Sequence, residues 1–143
     1  MQERKRKKRF QPQQYKHLIL HIMHIFQKLK ASLRLREAVR KADEAHLETG
    51  ERYYVMPASA DDCKLIVMDR RNFRKLKQKG YITRKAYVAD LERESFYFTP
   101  YRNGSCAISP EVANQKRNQY FSWYAACINQ PQNSKKNEVH NKR

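Results

Sequence analysis

The chain has 143 residues, room for one modest domain, and its 31 Lys and Arg against 14 Asp and Glu give a net charge of +17. Hydrophobic residues at 40% and aromatics at 11% suffice for a packed core and argue against disorder of the whole chain. Charge of this sign draws polyanions, and it is not confined to a tail: the first thirty residues hold nine basic and one acidic residue, yet the other 113 still carry +9.

The opening stretch "ERKRKKRFQPQQYKHLILHIMHIFQKLK" begins like a signal peptide. Its apolar part spans only Leu18 to Phe26, His21 and His24 interrupt it, and no small-residue cleavage site comes after it. It is also too short to cross a bilayer. An amphipathic helix over about 15–30 fits better. Leu18, Ile22, Ile25, Phe26 and Leu29 recur at i, i+4, i+7, i+8, i+11, a face suited to docking on the core, on a dimer partner or on an anionic membrane. The run Arg4–Arg9 reads as a solvated arm able to add sequence-independent phosphate contacts. His17, His21 and His24 share helical spacing, but no further ligand is signalled, so no metal site is expected. Residues 1–31 are thus read as a basic N-terminal extension, 32–128 as the core domain, and 129–143 as a disordered polar tail.

The stretch 32–49 reads as a second helix. Ser32 is its N-cap and Gly50 its C-terminal glycine, with an apolar stripe at Leu35, Val39, Ala42, Ala45 and Leu47. Two β-rich runs come next, "RYYVMP" (52–57) and "KLIVMD" (64–69), joined by "ASADDC" as a hairpin. Both are apolar on both faces, so they are either covered on two sides or paired at an edge. Pro57 closes the first.

Asp69 then stands at an N-cap position, and a helix over 70–79 ends before Gly80. Phe73 and Leu76 form a thin apolar stripe; Arg70, Arg71, Arg74, Lys75, Lys77 and Lys79 cover the rest. Thr83 is a second N-cap candidate, before "RKAYVADLERE", with Val88 and Leu91 facing inward. Two helices joined by a short Gly-containing turn fit a helix-turn-helix. The N-terminal end of the second, at Arg84, Lys85 and Tyr87, would then meet base edges in the major groove. A hairpin from Phe96–Tyr101 through Asn103-Gly104 to Ser105–Ile108 would stand where a wing stands, with Arg102 near its tip. In "FYFTPY", alternation favours Phe96 and Phe98 as core residues, leaving Tyr97 and Tyr101 as weaker candidates to stack on unpaired bases. Ser109, Pro110 and Glu111 open a closing helix in which Val112, Tyr120, Trp123 and Cys127 share a face.

The fold expected is therefore α+β, a small helix-rich domain with antiparallel hairpins in a winged helix-turn-helix order. Cys63, Cys106 and Cys127 are odd in number and widely spaced, with no C-x-x-C, which suits free thiols in a reducing, cytoplasmic setting. No nucleotide-binding, nucleophile-elbow or zinc-protease motif occurs, and no carboxylate pair stands beside a histidine, so neither an enzyme nor a cofactor is implied. The function expected is nucleic-acid binding by an accessory or regulatory protein, with DNA the leading partner and RNA an alternative. The competing expectation is a protein-interaction module, with a homodimer as one form.

With "RYYVMP", "KLIVMDRRNFRKLKQKGYI" and "SFYFTPYR", the stretch from about 45 to 124 resembles a group of small, uncharacterised basic proteins of bacterial conjugative or other mobile elements. The resemblance implies a cytoplasmic bacterial protein engaged in DNA-related work, and it brings no site residues with it.

Overall fold

Between Pro12 and Gly50 the sequence contains no glycine and no further proline. The computed structural model, which describes residues 12–59 and 62–130, accordingly shows one unbroken helix there, α1 (Pro12–Thr49). At 1.5 Å per residue its 38 residues reach about 57 Å. The expected break at Ser32 is corrected: a local capping signal does not end a helix when the flanking residues all favour continuing it. The boundary placed at 31/32 thus falls inside α1. The run Arg4–Arg9 and the polar tail from Pro131 lie outside the described residues, as do the side chains of residues 12–15, 17–19 and 59.

Gly50 ends α1 at φ +71°, donating its N–H to the His46 carbonyl at 2.7 Å. The chain then forms β1 (Tyr53–Ser59), β2 (Lys64–Asp69), α2 (Arg70–Gln78), α3 (Val88–Glu94), β3 (Tyr97–Phe98) and α4 (Pro110–Asn129). The fold is α+β. Among the described residues the strands make one antiparallel sheet in the order β2-β1-β3. Tyr53 pairs with Asp69 and Val55 with Val67 on one side of β1, while Tyr54 pairs with Phe98 on the other. Pro57 does not close β1; the strand runs on to Ser59 through a register shift, which the missing N–H of proline accommodates.

The two-sided apolar character of the hairpin now has its cause. On one face, Val55, Val67, Leu65, Tyr53 and Tyr97 pack against Leu35, Ala38 and Ala42 of α1. Small alanines let the helix lie close to the strands. Leu47, expected on this stripe, is 83% exposed instead. On the opposite face, Tyr54, Met68 and Phe98 meet Phe73 of α2, Leu91 of α3 and Val112 of α4. A third cluster joins α1 to α4 through Ala31, Phe96, Tyr120 and Tyr124. There the Tyr120 hydroxyl donates to the Ala31 carbonyl at 2.7 Å. The Ser109–Pro110–Glu111 start of α4 is as expected, with Ser109 Oγ accepting from the Val112 N–H.

Candidate nucleic-acid interface

β2 runs into α2 without a linker. Asp69 is both the last residue of the strand and the N-cap of the helix, its carboxylate accepting the Asn72 N–H at 2.7 Å. This junction fixes the azimuth of α2. Phe73 is then buried and Leu76 half-buried against the sheet. Burying a phenylalanine of this kind contributes about 2 kcal/mol, enough to hold one short helix in place. Arg70, Arg71, Arg74 and Lys75 project into solvent on the rest of the helix surface, and Lys79, Arg84 and Lys85 are exposed beyond it.

The fates of the cations differ across the molecule. Arg40 is paired with Glu37 and Glu44, Lys41 with Glu37, Arg52 with Glu92, Lys64 with Asp62, and Arg93 with Asp90 and Glu94. The Arg40 hydrogen bond is the main reason the Glu37 carboxyl sits below its usual range. Among the described residues, no ion pair or hydrogen bond of this kind engages the side chains of Arg70, Arg71, Arg74, Lys75, Lys79, Arg84 or Lys85. A cleft of about 740 Å³ runs between the end of α1 at Thr49, Glu51 and the wall of α2 carrying Arg70, Arg71, Arg74 and Lys75. A second concavity of about 420 Å³ brings Arg74 together with Lys77 and Arg84. The arrangement is a row of unneutralised positive charge on a rigid element, the geometry that exchanges condensed counterions for phosphates.

Four expected positions are placed differently. Lys77 Nζ donates to the Ala86 carbonyl at 2.7 Å and lies 5.4 Å from the Tyr87 ring centroid, so it ties α2 to the following turn. Arg84 and Lys85 are not on a helix. Tyr87 is extended at φ −112°, ψ 159°, and α3 starts at Val88 rather than after Thr83. The stronger cap wins here: the Tyr87 N–H donates to Asp90 Oδ2 at 2.7 Å, while Val88 and Leu91 turn inward. The first turn of α3 therefore offers an acid, Asp90, and not a pair of cations, which corrects the picture of a basic recognition-helix terminus.

The wing is also corrected. β3 is two residues long, and Pro100, lacking an N–H, stands just past its end. Gly104 and Tyr101 close a tight turn through Gly104 N–H to Tyr101 O at 2.8 Å, but Ser105–Ile108 builds no strand, and Cys106 sits at φ +55°. Arg102 reaches back to the Thr49 carbonyl at 2.7 Å, across a Gly50 whose missing Cβ would stand 2.3 Å from Arg102 Nε.

Of the aromatic candidates, Phe96 and Phe98 are buried as expected. Tyr97 is half-buried and donates its hydroxyl to Asp43 at 2.6 Å, which removes it as a base platform. The Tyr101 ring lies under the Arg52 guanidinium at 4.5 Å. Two other tyrosines are open: Tyr81 at 79% and Tyr87 at 68% exposure, both on the basic turn. Tyr81 is not among the expected site residues because nothing in "GYIT" separates an inward tyrosine from an outward one.

No protein-family model, curated protein or solved structure matches the chain. Among the described residues, no helix is long and apolar enough to cross a membrane.

Proposed function

We propose that this chain is a nucleic-acid-binding accessory or regulatory protein, with DNA as its leading partner. Arg70, Arg71, Arg74 and Lys75 on α2, with Lys79, Arg84 and Lys85 on the turn, hold phosphates. Lys77 positions that turn, and Arg102 stands by the end of α1, beside the main cleft. The observation that carries this reading is a cluster: Arg70, Arg71, Arg74, Lys75, Lys79, Arg84 and Lys85 are all exposed and, among the described residues, meet no carboxylate of their own chain, whereas Arg40, Lys41, Arg52, Lys64 and Arg93 each do. Lys28, Lys30 and Arg36 of α1 likewise meet no carboxylate, but it is on α2 and its turn that such cations crowd into one short stretch, 70–85. A reducing cytoplasm suits three cysteines of which none forms a disulfide. The resemblance to small basic proteins of bacterial mobile elements fits work beside DNA.

A mobility-shift titration of duplex DNA, single-stranded DNA and structured RNA at two salt concentrations tests it. Seven phosphate contacts give a log–log salt slope of roughly −6 on duplex. Replacing Arg74 and Lys75 together with Glu is expected to weaken binding equally on unrelated sequences and to flatten that slope by about two. An unchanged slope removes the assignment.

A second reading, single-stranded DNA or RNA, draws on the outward Tyr81 and Tyr87 beside free cations, since unpaired bases stack on exposed rings. It predicts that Tyr81→Ala and Tyr87→Ala lower affinity for single strands while leaving duplex affinity untouched.

A further inference from the structure

The N-terminal half of α1 carries an apolar stripe that the body of the protein does not use. Ile22, Phe26, Leu29 and Leu33 are 41%, 64%, 54% and 54% exposed. At 100° per residue these four lie within about 60° of one another, on the side of α1 opposite Ala31, Ala38 and Ala42, which face the core. The stripe is therefore not the core face prolonged. Ile25 flanks it, also exposed. The 4-3-4 spacing is that of the a and d positions of a helix that packs against another helix.

The segments of this chain outside the described residues cannot match it. Residues 1–11 contain Met1 and Phe10 as their only large apolar residues, and 131–143 contain only Val139. A second copy brings the same stripe, which is self-complementary. Five side chains leaving on the order of 100 Å² each in water give roughly 500 Å² per partner before the stem of Lys30 is added, the small end of specific interfaces.

Charge selects the orientation. Beyond Leu33 the same face continues as Arg36, Glu37, Arg40 and Glu44. A parallel pair sets Arg36 beside Arg36 and Arg40 beside Arg40. An antiparallel pair centred on the stripe, between Gln27 and Lys28, sets Ile22 against the partner's Leu33 and Phe26 against the partner's Leu29, and keeps these like charges apart.

We propose that two copies of this chain associate through the 22–33 stripe of α1, packed antiparallel. The association is independent of nucleic-acid binding. Light scattering on the full chain in about 0.5 M salt, where phosphate bridging is screened, is expected to give twice the monomer mass of 17.2 kDa. The variant carrying Phe26→Glu and Leu29→Glu is expected to fall to one monomer mass while keeping its fold, read as an unchanged near-ultraviolet circular dichroism spectrum, because these side chains do not belong to the core. In a Cys106→Ser background, Phe26→Cys is expected to cross-link on oxidation and Leu33→Cys not to. A wild-type monomer at about 100 μM, or a double-Glu variant that stays dimeric, overturns the proposal. So does a monomer that sediments with anionic vesicles, which would assign the stripe to a membrane surface. Cross-linking through Leu33→Cys but not Phe26→Cys overturns the antiparallel arrangement.

Discussion

Arg52 is held from several directions at once. Only 3% exposed, its guanidinium donates to the carbonyls of Thr99 at 2.9 Å and Cys106 at 3.2 Å and to Glu92 at 3.0 Å. It is sandwiched by the rings of Phe98 and Tyr101, at 4.6 and 4.5 Å. A planar fork with five donors serves three acceptors in different directions, and a lysine cannot. One side chain thus ties β1 to α3 and to the loop after β3. Replacing Arg52 with Ala strands two carbonyls and opens a cavity, at an expected cost of ~3 kcal/mol. Arg52→Lys is expected to recover only part of that. Urea unfolding midpoints check both; a loss within about 0.5 kcal/mol for the alanine variant contradicts this role. Lys116 is the companion case. It is buried, its ammonium donates to the Glu92 and Ser95 carbonyls at 2.6 and 2.7 Å, and so it closes the C-terminal end of α3. Nothing in "RYYV" or "NQKRN" separates these two basic residues from the solvated ones around them. Their burial depends on contacts 21 to 54 residues away in sequence.

At the scale of elements, α2 shows what local chemistry settles. Asp69, Phe73, Leu76 and Gly80 stand close together in sequence and all act as their types suggest: cap, anchor, anchor and left-handed terminator at φ +81°. α4 was legible for the same reason. Where two local signals competed, local chemistry did not decide between them. Ser32 lost to an uninterrupted helix, Thr83 lost to the Asp90 cap, and the expected wing lost its partner strand because β3 pairs with the middle strand β1. The exposure of the α2 cations around a buried Phe73 was therefore legible in the sequence, while the helix-turn-helix frame expected around them was not. The Asp69 cap permits a test that separates structure from electrostatics. Asn caps as well as Asp, so Asp69→Asn is expected to hold stability within about 0.5 kcal/mol, while Asp69→Ala costs about 1 kcal/mol. The carboxylate also borders the cationic cleft. Its removal in Asp69→Asn is therefore expected to tighten nucleic-acid binding severalfold at low salt, read by the same titration. A weaker-binding Asn variant would place the phosphates elsewhere.

For the molecule as a whole, the core ties stability to alkaline pH, because it is built on tyrosines. Burial, more than any neighbour, raises the phenol of Tyr120 to about 12 and lifts those of Tyr54 and Tyr97, the last aided by the Asp43 carboxylate that accepts its hydrogen bond. An unfolded tyrosine titrates near 10. Below that value both states keep the proton, and the stabilisation is fully present. Above it the unfolded chain ionises first, so stability is lost as pH rises from 10 through the folded value near 12. For Tyr120 the difference corresponds to about 2–3 kcal/mol at most. Lys116 acts with the opposite sign: burial lowers its folded value, so its contribution grows as pH rises toward 10.5. Three phenols outweigh one ammonium, and unfolding free energy is expected to fall between pH 10 and 12. Tyr120→Phe removes its hydrogen bond to Ala31 and starts less stable at about pH 8, but its stability is expected to decline less steeply across that window. Denaturant titrations of both proteins at about pH 8, 10 and 11 measure the slopes. Parallel slopes would mean that the Tyr120 hydroxyl ionises as readily in the folded protein as in the unfolded chain, and the packing of α4 on α1 would need to be redrawn.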